Sequence, residues 1–235
     1  MNIEDCNWMQ VERYLESDDR IVIPLGSVEQ HGYLSLGVDR ILSERVSLEA
    51  AEPLGVLVLP SLPYGLTPYF AAYPGSPTLR VETYQALLRD LLDSFADQGF
   101  RRFLFVNGHG GNDPGRDVIE PWQAENEGTE VLWHNWWSGL RTRAVVDAID
   151  ADASHASWFE NFPWTRLPGV EQPQERKPMA DITQMRQLDP QQVRELLGDG
   201  SLGGLYERPD EDVLQVWQAG VEEVRALIES GWSRA

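Results

Sequence analysis

The sequence is poor in cysteine, in basic residues and in long apolar runs, and each shortage excludes a class of protein. The single cysteine, Cys6, rules out an intramolecular disulfide. No apolar run approaches the roughly 20 residues that a membrane-spanning helix needs. The chain has 38 acidic and 19 basic residues and a formal net charge of −19, which argues against nucleic acid or an anionic membrane as a partner. Because the amino terminus has no basic segment followed by an apolar one, we expect no signal peptide and a cytoplasmic location.

The sequence does contain enough apolar residues for a folded core. Of its 235 residues, 42% are hydrophobic and nine are tryptophan, so a disordered chain is excluded. No shift in composition marks a linker between two parts. We therefore predict a single domain over residues 1–235.

Short apolar runs alternate with helical patterns along most of the chain. The predicted strands are 20–25, 56–59, 103–106 and 131–137, and the predicted helices are 8–18, 39–52, 81–100, 114–126, 138–150, 189–198 and 209–231. Strands that alternate with helices of ten or more residues indicate βαβ units. This pattern predicts an α/β fold with a mostly parallel central sheet and helices on both faces.

Residue types that bind metal ions follow the first predicted strand. Glu29, His31 and Asp39 lie just beyond the apolar run 21–23, at the edge where open α/β sheets build their sites. Carboxylates and imidazole are ligands of hard and borderline ions. Two simpler interpretations remain open: Asp39 as the N-cap of the next helix, and Glu29 with His31 as loop residues exposed to solvent.

Two later segments contain residues of the same types. In NGHGGN at 107–112 the glycines let the backbone turn sharply and display His109. His155 and Glu160 are five residues apart, a spacing that does not share one helix face and predicts a loop. Three carboxylates with two or three imidazoles exceed what one tetrahedral zinc needs, and they suit a pair of divalent ions. His134, inside a predicted strand, is expected to be structural.

Together these segments resemble the creatininase (creatinine amidohydrolase) family. The resemblance covers residues 20–160: PLGSVEQHG from position 24, GVD ending at 39, PYG at 63–65, NGHGGN at 107–112 and HAxxxE at 155–160. It implies a three-layer α/β/α domain with a two-metal site (zinc, manganese or both). The implied activity is hydrolysis of a C–N bond in a small, often cyclic amide.

The resemblance also implies roles for single residues and an assembly. Asp39 would bridge the two ions, and His155 would be the acid/base that protonates the leaving nitrogen. Glu160 would be both a metal ligand and a catalytic residue. Family members form hexamers, so the aromatic loop 60–80, with Tyr64, Tyr69, Phe70 and Tyr73, is expected to contact another subunit. The implied metal ligands are Glu29, His31, Asp39, His109 and Glu160.

The sequence departs from the family pattern near the site in the segment 33–35, where Tyr-Leu-Ser follows EQHG, and at three single positions. Creatininase has a carboxylate where Gly111 stands, many relatives have a glutamate where Trp158 stands, and many have a histidine near Tyr69. These departures predict a changed substrate pocket, and they leave a non-catalytic scaffold as an alternative. The resemblance leaves three further activities open, because relatives also act as deformylases, as peptidases and on C–C bonds of oxidised sugars. The few Lys and Arg residues near the motifs disfavour a phosphorylated substrate.

Overall fold

Four parallel strands form the central sheet of the computed structural model, which describes residues 1–233. The strands are β1 (Arg20–Leu25), β2 (Leu57–Val58), β3 (Arg102–Asn107) and β4 (Glu130–Asn135). In the sheet, β1 pairs with β2 and β3, and β4 pairs with β3. Ile21 of β1 lies opposite Leu57 on one side and Phe103 on the other. The parallel sheet of the sequence prediction is therefore confirmed.

Helices cover both faces of this sheet. Within residues 1–233, no helix combines the length and the apolar character needed to cross a lipid bilayer. Short 3₁₀ segments lie at Ile3–Asp5, Glu52–Leu54, Pro68–Phe70, Gly110–Val118 and Trp158–Glu160. The α-helices are α1 (Trp8–Leu15), α2 (Val38–Ala51), α3 (Val81–Gln98), α4 (Ile119–Glu125), α5 (Leu140–Asp150), α6 (Ile182–Met185), α7 (Pro190–Leu197) and α8 (Asp210–Ser230).

Alternate side chains of β1 enter two separate cores. Val22 packs in a cluster with side chains of α2 and α8, such as Val46 and Val221. Its neighbours Ile21 and Ile23 point to the other face and join a cluster that includes side chains of α3 and α4. This alternation, which follows from the two-residue repeat of a strand, gives three layers: helices, sheet, helices.

A third, smaller cluster joins the loop at 60–80 to the carboxyl-terminal part of the chain. Phe70 and Tyr73 are buried there against Met185 of α6 and against side chains of α7. These two aromatic residues were expected to contact another subunit, but they are buried within the chain. Tyr64, by contrast, is 53% exposed.

The elements differ from the sequence prediction where local chemistry interrupts a helix. The helix expected at 114–126 begins only at Ile119, and a 3₁₀ segment that contains Pro114 precedes it. Proline has no backbone N–H to donate, so an α-helix is disfavoured through this position. Helix α6 was not predicted, because four residues are too few to show a helical period.

Candidate metal centre and its pocket

Six side chains meet at the edge of the sheet where the parallel strands end. Glu29 and His31 follow β1, and His109 follows β3. Asp39 lies in the first turn of α2. We call the six the carboxylate–histidine cluster: Glu29, His31, Asp39, His109, His155 and Glu160.

Asp39 is the centre of this cluster. Its Oδ1 atom lies 3.1 Å from Nε2 of His31, and its Oδ2 atom lies 3.0 Å from Nδ1 of His109. The hydroxyl of Ser27 donates a hydrogen bond of 2.7 Å to Oδ2. Each carboxylate oxygen of Asp39 therefore faces a different imidazole.

The six side chains form three sets of potential metal ligands. In each set the ligand atoms lie within 4.8 Å of one another. Two of the sets share Asp39 and differ in their other members. The sets are Glu29, Asp39 and His109; His31, Asp39 and Glu160; and Glu29, His31 and His155.

Backbone carbonyls fix how two of the imidazole rings face the cluster. Nδ1 of His31 lies 3.2 Å from the carbonyl oxygen of Glu29, and Nε2 of His109 lies 2.8 Å from that of Leu66. If these nitrogens carry the protons, the lone pairs of the other ring nitrogens point at carboxylates. Among residues 1–233, the buried atoms Oε2 of Glu29 and Nε2 of His31 have no hydrogen-bond partner. Converging lone pairs and unpartnered buried atoms suit a bound cation.

Burial and the neighbouring charges shift the pKa values of this cluster strongly. Burial opposes charge on His31, but Asp39 and the other carboxylates outweigh it and raise the pKa of His31 to about 10. Burial also acts to raise the pKa of Asp39, yet His31 and His109 hold it well below its usual range. Burial raises the pKa of Glu29, and it raises that of Glu160 to about 7. The cluster therefore attracts positive charge, as protons or as metal ions.

His155 is held from one side while its other ring nitrogen faces the cluster. Its Nε2 atom lies 2.9 Å from both the backbone oxygen and the side-chain nitrogen of Gln30. Its Nδ1 atom lies 3.5 Å from Oε1 of Glu29, and its ring stacks on Phe70 with centroids 4.7 Å apart. Burial, aided by nearby His31, lowers the pKa of His155 well below its usual value. Gln30 offers a partner for either neutral tautomer.

Glu160 reaches the cluster through a turn rather than a regular helix. The turn contains Ala156, whose φ angle of 58° lies in the left-handed region, and the Ala156 N–H donates a 2.6 Å hydrogen bond to Oε2 of Glu160. The same Oε2 atom lies 3.8 Å from Nε2 of His31. The loop predicted from the five-residue spacing is thus what brings His155 and Glu160 together.

The turn after β3 is tied down by two asparagines. Asn107 donates to the backbone oxygen of His109 at 2.7 Å and accepts from its N–H at 3.2 Å. Asn112 donates to the backbone oxygen of Gly26 at 3.1 Å. At Gly108, a Cβ atom would lie 2.3 Å from the backbone oxygen of Asp39, so glycine is what allows α2 to begin this close to β3.

A cavity of about 560 Å³ opens beside the cluster. Sequence reasoning missed several of its lining residues, because they lie far from the motifs along the chain. Trp158 is 0% exposed and packs in the core, whereas Trp137 lines the cavity. His134 lies in β4, outside the three ligand sets. The lining residues that were missed include Arg143, Ile182, Met185 and Arg186.

Comparison with known proteins gives one consistent family. A family model described as Creatininase: Creatinine amidohydrolase matches residues 4–229. The creatinine amidohydrolase of Pseudomonas putida is 31% identical over 177 residues, which are 67% of this chain and 68% of that protein. The mycofactocin precursor peptide peptidase of Mycolicibacterium smegmatis is 32% identical over 99 residues, which are 39% of this chain and 40% of the peptidase.

Solved structures agree with this family at the level of the fold. A crystal structure of creatinine amidohydrolase (creatininase) has a TM-score of 0.80 and 21% identity, and the match covers 100% of this chain and 98% of that one. A mutant creatininase of Zn-Zn type has a TM-score of 0.78 and 22% identity, and the match covers 99% of this chain and 98% of that one. A creatininase with Mn has the same TM-score and identity, and the match covers 99% of each chain. The three-layer α/β/α prediction is therefore confirmed.

Proposed function

This chain belongs to the creatininase family, and from that premise we propose that it hydrolyses a C–N bond of a small cyclic amide at a centre of two divalent ions. The predicted enzyme class, a hydrolase acting on non-peptide C–N bonds, is confirmed by the family. The cavity of about 560 Å³ lies in the range for small-molecule ligands.

The position of Asp39 is the observation that carries the proposal. One of its oxygens faces His31 and the other faces His109, as a carboxylate bridging two ions would require. The unpartnered atoms of Glu29 and His31 give such ions further ligands. When bound, two divalent ions lower the pKa of a water molecule and polarise a carbonyl group. Zinc and manganese are the candidates, since related creatininases contain them.

The residues at this centre would have different roles. Glu29, His31, Asp39, His109 and Glu160 would hold the two ions, and Ser27 would fix the orientation of Asp39. His155 would deliver a proton from Nδ1 to the departing nitrogen, because Nδ1 is the ring nitrogen on the cluster side. Its lowered pKa keeps His155 neutral near pH 7, so the ring would first take up a proton from the attacking water and then deliver it.

Metal content is the direct test. Protein purified without chelator should contain close to two zinc or manganese ions per chain, measured by elemental analysis. The Asp39→Ala variant should lose most of both ions, because both ligand sets that contain Asp39 would be broken. Asp113→Ala is the matched control, since Asp113 lines the same cavity but belongs to none of the ligand sets.

Other results would change the proposal in defined ways. One ion per chain in the wild type would replace the paired centre with a mononuclear one. An unchanged metal content in Asp39→Ala would remove the bridging role. No metal, even after soaking in zinc or manganese, would favour a non-catalytic scaffold.

Three further expectations stay predictions. The chain is expected to form a single domain over residues 1–235, to act in the cytoplasm and to assemble as a hexamer. Light scattering on the purified protein tests the assembly, and a monomer would contradict it.

A further inference from the structure

We propose that the substrate carries a carboxylate group and that Arg186 binds it, with Arg143 as a second contact. This inference rests on the proposed hydrolysis, because it names the kind of amide that the pocket accepts. Neither arginine lies near a sequence motif, and the fold brings both to the cavity beside the carboxylate–histidine cluster.

Arg186 directly follows α6, on the side of the helical turn that faces the cavity. Ile182, Met185 and Arg186 all line the cavity. Positions i, i+3 and i+4 share one side of a helical turn, so the cavity side of α6 is apolar except for the guanidinium. The amide of Arg186 donates a 3.1 Å hydrogen bond to the backbone oxygen of Ile182, which keeps this position in the turn.

The backbone of α6 is held in place by a cap and by packing. Asp181 caps the helix by accepting hydrogen bonds from the N–H groups of Thr183 and Gln184. Met185 is buried in the cluster that contains Phe70, whose ring stacks on His155. The arginine therefore extends from a fixed support that packs with Phe70, the residue that stacks on the proposed acid/base, and such preorganisation lowers the cost of binding a ligand.

The guanidinium of Arg186 is not neutralised by a carboxylate of the described residues. The chain has 38 acidic and 19 basic residues, and many of its arginines form ion pairs. Within residues 1–233, the side chain of Arg186 has neither a carboxylate within 4.0 Å nor a hydrogen-bond partner. An unpaired guanidinium on a cavity wall fits a negatively charged ligand group, which it can bind through two parallel hydrogen bonds.

Arg143 differs, because its charge is already partly satisfied. It pairs with Asp147 at 2.6 Å and donates to the backbone oxygen of Ala151 at 3.0 Å. These contacts hold its side chain in place at the cavity. We therefore assign the main ionic contact to Arg186 and a weaker, supporting contact to Arg143.

The charges around the cavity favour a carboxylate over a phosphate. Glu29, Asp39 and Glu160 would be neutralised by the bound ions, but Asp113 also lines the cavity. Within the described residues, Asp113 forms no ion pair, and its Oδ1 atom accepts a hydrogen bond of 3.4 Å from Asn135. One unpaired guanidinium in a cavity that is also lined by an unpaired carboxylate suits a ligand group with one negative charge rather than a dianion.

The test compares acids with their neutral counterparts. The probes are hydantoin-5-acetic acid and hydantoin-5-propionic acid, each with its primary amide, because the members of a pair differ in charge and little in shape. Affinities are measured by calorimetry on the manganese-loaded protein, and hydrolysis is followed in parallel. We expect the wild type to bind at least one acid about tenfold more tightly than its amide. The preference should weaken as salt rises from 0.05 to 0.3 M.

Variants separate the arginine from other sources of the preference. Arg186→Gln should abolish most of the preference and leave the affinity for the amide unchanged, while Arg186→Lys should keep part of it. Arg80→Gln is the matched control, because Arg80 is also exposed and unpaired among the described residues but does not line the cavity. Equal melting temperatures for the wild type and all three variants would show that they fold alike.

The outcomes distinguish this inference from the proposed function. An acid preference that persists in Arg186→Gln would come from the metal centre itself and would overturn the inference. Equal affinities for acid and amide, or no binding in the whole series, would also overturn it. Acid binding that depends on Arg186 without hydrolysis of any probe would support the inference and count against the proposed hydrolysis.

Discussion

At the residue scale, the turn after β3 depends on Gly111, which has no Cβ atom. A Cβ atom at Gly111 would lie 2.0 Å from the backbone oxygen of Leu66 and 2.3 Å from Nε2 of His109. Those two atoms form the 2.8 Å contact that orients the His109 ring. Any side chain at position 111 would therefore disturb this ring.

This close contact gives a prediction for Gly111→Ala. The added methyl group should displace Leu66 or His109 and destabilise the protein by about 1–3 kcal/mol, the usual range for overpacking. Because 1 kcal/mol shifts the melting temperature of a protein of this size by about 2–4 °C, calorimetry will detect the loss. Metal content should fall as well, since His109 is a proposed ligand.

The neighbouring glycine supplies the control. At Gly110 the nearest atom to an added Cβ is 3.8 Å away, on Trp137, so Gly110→Ala should keep both stability and metal content. Equal behaviour of the two variants would contradict the role assigned to the Leu66–His109 contact.

The site residues found from the sequence share one property, which is that each lies in a local motif. His31, His109 and Glu160 lie in three separate segments, and each was identified from the residue types next to it in its own segment. The structure brings all three into one cluster. Arg143 and Arg186 have no such context. They reach the cavity through the packing of α5 and α6, and no local pattern indicates that packing.

At the element scale, a group of ion pairs joins the amino-terminal ends of β1 and β3. Asp18 pairs with Arg20 at 2.5 Å and with Arg102 at 3.5 Å, and these two arginines face each other in the sheet register. Arg20 also donates a 2.9 Å hydrogen bond to the backbone oxygen of Ile228. The group therefore ties α8 to the edge of the sheet opposite the site.

The pKa of Asp18 makes this group sensitive to acid. Burial acts to raise that pKa, but the hydrogen bonds and charge of Arg20, with Arg102, bring it below the usual value of 3.8. A carboxyl group whose pKa is lowered by folding stabilises the protein at pH values above its unfolded-state pKa. This stability is lost as the pH falls through the folded-state pKa. Asp18→Asn should cost about 1 kcal/mol at pH 7, and the difference from wild type should shrink below about pH 4.

Thermal unfolding between pH 3 and pH 7 would measure the difference. Asp97→Asn is the control, because Asp97 is exposed on α3 and forms no ion pair among the described residues. A constant difference between wild type and Asp18→Asn across this range would show that the ion pairs do not stabilise the junction.

Elements were predictable from the sequence where one period continued for several residues. The strands β1, β3 and β4 and the long helix α3 have apolar runs or repeats that tertiary contacts did not override. The segment 110–118 and helix α6 were not predicted, because proline, glycine and short length remove the repeat. Both of these segments line the cavity, so the prediction was weakest beside the site.

At the scale of the whole molecule, the carboxylate–histidine cluster couples metal binding to stability. Its six side chains come from segments after β1 and β3, from the start of α2 and from the turn at 155–160. An ion held there would link parts of the chain that are far apart in sequence. The ligands converge only in the folded protein, so any binding free energy adds to the free energy of unfolding.

We therefore predict a large shift of the melting temperature with metal. At a free ion concentration 100 times the dissociation constant, binding at one site adds about 2.7 kcal/mol, which is roughly 5–10 °C for a chain of this size. A chelator should reverse the shift, and Asp39→Ala should show little of it. Protons compete for the histidines and carboxylates. Because the pKa of His31 is raised to about 10 and that of Glu160 to about 7, the shift should also shrink as the pH falls through this range. Calorimetry with zinc, manganese or chelator tests this. If neither ion changes the melting temperature at pH 7, protons alone neutralise the carboxylates of the cluster.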